Sequence, residues 1–110
     1  MPAQPAAETL FATLVTELSG RPGVTLGSGR RGFGSDALQV NGRIFAMVTR
    51  DHLVLKLPKD RVAALIDGGA GAPFDAGKGR PMKEWVMLER RTTAKALALA
   101  KEALAFVGRR

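Results

Sequence analysis

Cysteine and tyrosine are absent from the 110-residue sequence, and histidine occurs once, as His52. The missing cysteine excludes disulfide bonds, thiolate zinc sites and cysteine nucleophiles. A Ser-His-Asp triad would have to use His52, which falls in a predicted turn, where a histidine is usually solvated. Among possible carboxylate ligands, Asp60 and Asp67 are spaced like the polar face of an ordinary helix. We therefore expect no enzymatic activity, no metal and no cofactor.

Long apolar runs are also missing. No stretch approaches the roughly 18 residues that a membrane-spanning helix needs, and the first residues, MPAQPAAETLF, contain no basic region followed by an apolar run. We expect a cytoplasmic protein that does not associate with membranes. The length predicts one domain over residues 1–110, with loose ends at 1–5 and 108–110.

Positive charge is in excess, because 17 Lys and Arg residues stand against 10 acidic residues, which gives a net charge of +7 and a pI near 10.9. Such an excess attracts polyanions, so nucleic acid is a candidate partner. The cations are scattered along the chain, however, which is also typical of a solvated basic surface. The candidate nucleic-acid contacts are Arg30, Arg31, Lys78, Arg80, Lys83, Arg90 and Arg91.

Two glycine-rich stretches resemble phosphate-binding loops only in part. Residues 29–34 lack the GxGxxG order and a following helix, and they fit either a flexible connection or an anion-binding loop. In the sequence Gly77-Lys78-Gly79-Arg80, Gly79 stands where a P-loop has the Ser or Thr that holds Mg²⁺. Neither stretch predicts a nucleotide site.

Residues 37–57 predict a β-meander, with three runs rich in aliphatic residues separated by two turn signals. Asn41-Gly42 is the stronger turn, because both residues tolerate the positive φ that a two-residue hairpin loop requires. This loop pairs Leu38 with Phe45 and Val40 with Arg43. The pairing predicts one face with Leu38, Val40, Phe45 and Met47, and an opposite face with Ile44, Ala46 and Val48.

The second turn decides where the leucines of the third strand point. A three-residue bulged loop over residues 50–52 would place Leu53, Leu55 and Leu57 beside Phe45 and Met47, whereas a two-residue loop would send them to the other face. We predict the three-residue loop, because it gathers the larger side chains.

Helical periodicity predicts helices at 6–18, at 59–67 and from Thr92 or Thr93 to Val107. The last of these has a predicted buried stripe of Leu97, Ala100, Leu104 and Val107. Short extended segments are expected at 24–28 and 72–74, and a strand at 82–89 with apolar residues on both faces. A strand that is apolar on both faces is either covered on both faces within the fold or uses its second face to contact a partner chain or a second copy. In the second case the candidate interface residues are Ile44, Ala46, Val48, Trp85 and Met87.

The sequence FGSDALQVNGRIFAMV, followed by LVLKLPKDRVAALIDGGAGAPFDAGKGRPMKEWVML and a final helix, resembles the stand-alone N-terminal domain of the TfoX/Sxy family. The shared elements include Phe33-Gly34, the Asn41-Gly42 hairpin and Gly77-Lys78-Gly79 before Met82. The resemblance covers residues 24–107. It implies a bacterial α+β domain, an antiparallel twisted sheet with flanking helices in the order α-β(3)-α-β(2)-α.

The resemblance further implies a regulatory or protein-interaction module rather than an enzyme. It carries over no catalytic residues. Partners implied by this hypothesis are another protein or a second copy of the chain. The alternative is a basic protein that associates with nucleic acid in transcription or competence regulation.

Overall fold

The computed structural model describes residues 6–27, 37–49, 52–74, 82–89 and 93–109, in which three helices and six strands form an α+β fold. The elements are α1 (Ala7–Leu18), β1 (Val24–Gly27), β2 (Ala37–Val40), β3 (Arg43–Thr49), β4 (His52–Lys56), α2 (Lys59–Asp67), β5 (Gly71–Phe74), β6 (Met82–Leu88) and α3 (Thr93–Gly108). The predicted α+β class is confirmed. The predicted order differs in one detail, since four strands rather than three lie between α1 and α2.

All six strands form one antiparallel sheet in the order β1-β2-β3-β4-β6-β5. Strands that are consecutive in the sequence pair with each other, except that β6 lies between β4 and β5. The predicted turn between β2 and β3 is confirmed, with φ of 54° at Asn41 and 82° at Gly42. These values at both central residues match the twist of the flanking strands.

The three helices pack on the same face of the sheet. Helices α1 and α3 lie against β3 and β4, and α2 lies against β5 and β6. Arg61 on α2 joins Glu102 on α3 through Nε–Oε1 and Nη2–Oε2 hydrogen bonds of 2.9 and 3.2 Å. Both side chains are more than 40% exposed, so the pair contributes at most about 1 kcal/mol.

One hydrophobic core lies between the helices and the sheet. Full burial of one large aliphatic side chain stabilises the fold by about 1.5–3 kcal/mol, so this layer dominates stability. The most buried strand residues of the core are Leu38, Phe45, Ala46, Leu53, Leu55, Val86 and Leu88, and Leu57, directly after β4, is equally buried.

Helices α1 and α2 follow the sequence prediction closely. In α1, Leu10, Phe11, Leu14 and Leu18 are buried, and the N–H of Ser19 donates to the Val15 carbonyl as the helix ends. The structure places α2 at the predicted residues, 59–67. The helix begins after Pro58, which does not continue the preceding strand, and ends at Gly68, since glycine readily ends a helix.

Helix α3 presents a different stripe from the predicted one. Its most buried residues are Ala96, Leu99, Ala100, Ala103 and Val107, whereas Leu97 and Leu104 are half-buried. The helix is apolar on nearly every side, so periodicity alone does not fix its rotation. Small alanines on the inner face permit a close approach to the sheet, and the leucines then lie at the margins of the contact.

A β-bulge in β3 changes part of the predicted pairing of the hairpin, because Val40 pairs with Arg43 as predicted but the register shifts before Leu38 is reached. Leu38 pairs with Ala46 rather than with Phe45, and Gln39 pairs with Ile44, so Phe45 is the extra residue. Phe45 is fully buried in the core beside Ala46. Because a bulge places two residues of one strand opposite one residue of the other, the alternation of side chains shifts there. Met47 consequently lies on the face opposite to Phe45.

The connection between β3 and β4 also differs from the prediction. Thr49 pairs with His52, which leaves two residues between the strands instead of the predicted three. His52 is thus the first residue of β4 rather than a turn residue. Leu53 and Leu55 pair with Val48 and Ala46. The leucines reach the same core as Phe45 because the bulge, and not a longer loop, brings Phe45 to their side.

Candidate interaction surface

Five apolar residues form a continuous row on the sheet face opposite to the helices, which we call the open face. The cross-strand partners are Ala37 with Met47, Met47 with Val54, Val54 with Met87, and Met87 with Ala72. Residues in direct register point to the same side of a sheet. The open-face row therefore crosses β2, β3, β4, β6 and β5 without a polar residue.

The open-face row is separate from the core under the helices. Val54 is fully buried, yet it does not belong to that core, and a methionine flanks it on each neighbouring strand. The other four residues of the row are half-buried, so each keeps part of its side chain accessible to solvent. The molecule thus has apolar side chains on both faces of the sheet, and the described helices cover one of them.

Aromatic residues extend the open face beside the row. Trp85 pairs with Lys56, and the Trp85 and Phe74 ring centroids are 6.3 Å apart with the planes tilted by 55°. The Lys56 Nζ lies 5.4 Å from the Trp85 ring centroid and 4.0 Å from Oε1 of Glu84. Such cation–π and ion-pair contacts are weak at a partly exposed site, but they place an opposite charge and a ring face beside the ammonium group.

The structure separates the five predicted interface residues into two groups. Trp85 and Met87 lie on the open face, and Ile44 lies there with Gln39, its partner across the bulge. Ala46 and Val48 were predicted for the same surface, and this prediction is wrong, since they are 0% and 7% exposed within the core. The bulge at Phe45 is the cause, because it directs the side chain of Ile44 to the sheet face opposite to that of Ala46 and Val48.

Sequence reasoning missed the centre of this surface. Met47 was assigned to the core beside Phe45, and Val54 was given no role. The signal that could have identified them is the two-residue alternative for the second turn, which pairs Thr49 with His52 and therefore Met47 with Val54. That register also places both residues level with Met87 on the next strand.

Most of the predicted nucleic-acid contacts fall outside the described residues. Lys83 is the exception; it is exposed on β6 and lies on the open face by alternation with Trp85. The other candidates lie in ranges of which the structure describes nothing, and these are Arg30, Arg31, Lys78, Arg80, Arg90 and Arg91. Their grouping on one surface stays a prediction.

A groove of about 490 Å³ lies where the end of α3 approaches the β2–β3 turn. Its lining includes Arg21, Asn41 and Arg109, and the Arg109 Nε donates to the Ala105 carbonyl at 3.1 Å. The C-terminal end of a helix carries partial negative charge. One of the two guanidinium groups is thus already engaged with that charge, which makes the groove a poor anion site.

Other classes of site receive little support from the described ranges. In them, no three His, Cys, Asp or Glu side chains gather as metal ligands would. Within the same part of the chain, no helix combines the length and the apolar character needed to cross a membrane. His52 is half-buried at the start of β4, and its side chain or backbone already interacts with another group of the protein.

Comparisons of the chain with protein-family models, with curated proteins and with solved structures find no match. Functional assignment therefore depends on the surface of the molecule itself. The open face is the feature of that surface with the clearest chemical character.

Proposed function

We propose that this protein is a non-enzymatic regulatory module that acts by binding a protein partner on its open face. The observation that carries the proposal is the open-face row, five apolar residues in register on the side of the sheet that the helices leave uncovered. Apolar patches on proteins mark interaction sites more often than isolated apolar residues do.

The composition of the open face supports the same proposal. Methionine and tryptophan are enriched in protein–protein interfaces, and tryptophan is among the residues whose truncation costs most binding energy. Met47 on β3, and Met87 and Trp85 on β6, supply these residue types on the two strands that flank β4. Methionine side chains adapt their shape to the surface that they meet.

The sequence supports a regulatory role over an enzymatic one. It offers one histidine and neither cysteine nor tyrosine for acid, base or nucleophilic chemistry. Its resemblance to the N-terminal domain of the TfoX/Sxy family supports a bacterial, cytoplasmic regulator. The open face would then be the surface through which regulation is transmitted.

Site-specific photo-cross-linking tests the proposal. A photoreactive phenylalanine derivative replaces Met47 in one variant and Ala98, an exposed residue of α3, in a matched control. After irradiation in cells of the source organism, we expect protein adducts from position 47 that are missing from position 98. Mass spectrometry then identifies the adducts. Equal adduct patterns at both positions, or none at position 47, would contradict the proposal.

The charge of +7 favours a second candidate function, the binding of nucleic acid. If the seven candidate cations contact phosphates, the affinity should fall by about three orders of magnitude for single strands and about four for duplex DNA between about 50 and about 200 mM salt, because protein binding releases the counterions of the nucleic acid. Titration of labelled single- and double-stranded DNA measures this dependence. An absence of binding at the lower salt concentration would leave the charge as a determinant of solubility.

A further inference from the structure

We infer that the outer edge of β1 binds an extended, acidic segment of a partner protein, which adds to the sheet as a further antiparallel strand. This edge is a different surface from the open face, so the inference goes beyond the proposed function and either can fail alone. Three features of the edge support it: unused backbone groups, an exposed leucine and a local excess of positive charge.

The backbone of β1 directs hydrogen-bonding groups away from the sheet. This strand lies at the end of the sheet and pairs with β2 on one side. The N–H of Asn41 donates to the Gly23 carbonyl at 3.0 Å. In an antiparallel pair, residues that bond to the neighbouring strand alternate with residues whose N–H and C=O point away from it. Thr25 therefore bonds to β2, and Val24 and Leu26 point outward.

An added antiparallel strand would form three hydrogen bonds with these outward groups. The N–H of Val24 already donates to the Arg21 carbonyl at 3.1 Å, so Val24 offers its carbonyl alone. Leu26 offers both its N–H and its C=O, for which the described residues supply no partner. The partner residue opposite Leu26 exchanges two hydrogen bonds with it, and the residue opposite Val24 donates one. Such main-chain bonds are the usual source of affinity when a peptide joins a sheet edge.

The other edge of the sheet is protected against this kind of pairing. On β5 the N–H of Glu89 donates to the Ala70 carbonyl at 2.9 Å, so the same alternation makes Gly71 and Pro73 the outward residues. Pro73 has no N–H to donate, and the register shifts between Pro73 and Phe74. Proline and bulges are two means by which edge strands avoid pairing. The β1 sequence, VTLG, contains neither proline nor charge, and its register is regular.

Leu26 gives this edge an apolar contact. It pairs with buried Leu38, so its side chain points to the side of the sheet that carries the helices. It is nevertheless 45% exposed, and among the described residues it is the only exposed large apolar side chain. Helix α3 reaches β2, the neighbour of β1. A strand added beyond β1 would cover Leu26 with an apolar side chain of its own.

Positive charge at the start of β1 favours an acidic partner over a second copy. Arg21 and Arg43 are exposed and have no ion-pair partner within the described ranges. The Arg21 carbonyl bonds to Val24, and Arg43 pairs with Val40, which pairs with Val24. A second copy would bring another +7 charge to this edge, whereas carboxylates are attracted to it. Because the added strand is antiparallel, its acidic residues should follow its apolar residue in sequence.

Fluorescence anisotropy with two labelled synthetic peptides measures the binding. The acidic peptide, TVTVTEE, has apolar residues at alternate positions and ends in two glutamates, and the basic peptide, TVTVTKK, ends in two lysines. For the acidic peptide we expect a dissociation constant of about 10–100 μM, because the strand is short and the contact small. The basic peptide should bind about fivefold more weakly or worse at low salt, since like charges repel.

Four variants separate backbone pairing, apolar contact and charge. Leu26→Pro removes the outward N–H without removing a hydrogen bond to β2, and we expect it to weaken binding of the acidic peptide at least about tenfold. Leu26→Ala keeps the N–H and should weaken binding less. Arg21→Gln should weaken it about two- to fivefold, as expected for an exposed ion pair. Lys59→Gln makes the same change of charge on exposed α2 and should have no effect.

Amide hydrogen exchange of the unaltered chain, followed by NMR, tests the same geometry without a substitution. In the protein alone, the Leu26 amide should exchange faster than the Thr25 amide, which bonds to β2. Addition of the acidic peptide should slow exchange at Leu26 and leave Thr25 nearly unchanged. Equal protection of the two amides without peptide, or no change at Leu26 on binding, would contradict the inference.

Circular dichroism confirms that each variant is folded, and the exchange measurement decides the matter if Leu26→Pro is not. The inference is overturned if the unaltered chain does not bind the acidic peptide at about 1 mM. Equal affinities for the two peptides, or equal affinities of Leu26→Pro and Leu26→Ala, would overturn it as well. A dimer in sedimentation velocity that Leu26→Pro abolishes would identify a second copy as the occupant instead of an acidic partner.

Discussion

Replacement of Phe45 by alanine should lower the free energy of unfolding by about 3–5 kcal/mol. Phe45 is the extra residue of the β3 bulge and is fully buried among core leucines. Its removal loses the transfer energy of an aromatic ring and leaves a cavity that the surrounding sheet fills only in part. Denaturant unfolding followed by circular dichroism measures the loss.

Ile44→Ala is the matched control for Phe45→Ala. Ile44 is the neighbouring residue, but it is half-buried on the open face, and we expect a loss of about 1 kcal/mol. The contrast between the two variants tests which of the two neighbouring side chains faces the core. A larger loss for Ile44→Ala than for Phe45→Ala would contradict the structure.

The second large effect is expected at Gly71, the first residue of β5. A Cβ atom at this position would lie 2.5 Å from Val86 Cγ2 and 3.3 Å from the Met87 carbonyl oxygen. Val86 is fully buried, so it has little freedom to move away. Gly71→Ala should therefore destabilise the protein by about 1–3 kcal/mol through overpacking.

A double-mutant cycle separates this clash from a loss of backbone flexibility. Val86→Ala alone costs stability by creating a cavity, but it also makes room for the new methyl group. The free energies of unfolding of Gly71→Ala, Val86→Ala and the double variant should show favourable coupling of about 0.5 kcal/mol or more, since the two residues are in contact. Additive losses would mean that the Val86 side chain is not what Gly71 makes room for.

Elements with strict alternation or clear end signals could be predicted from the sequence. In β6, alternation separates Trp85 and Met87 from Val86 and Leu88, and this division agrees with the burial in the structure. Helix α2 is delimited by Pro58 and Gly68, so its bounds could also be predicted.

The wrong predictions concern elements that are apolar on all sides, namely β3 and α3. Residues 44–48 of β3 contain no polar side chain, so alternation cannot show whether Phe45 or Met47 faces the core. Which side chains of β3 face the core is decided by the packing of the whole sheet against the helices, and the bulge makes this packing possible. For the same reason the predicted buried stripe of α3 differs from the observed one. The centre of the open face was missed because its residues, Met47 and Val54, depend on this phase.

The position of β6 between β4 and β5 has a consequence for how the chain forms on the ribosome. When β4 is synthesised, β3 already exists to pair with one of its edges, but the partner of the other edge is about 30 residues away. At 5–20 residues per second, that edge waits roughly 2–6 s for β6. During this interval an apolar strand offers unpaired amides to any neighbouring nascent chain. The rate of translation between α2 and β6 thus sets how long each newborn molecule is exposed to aggregation.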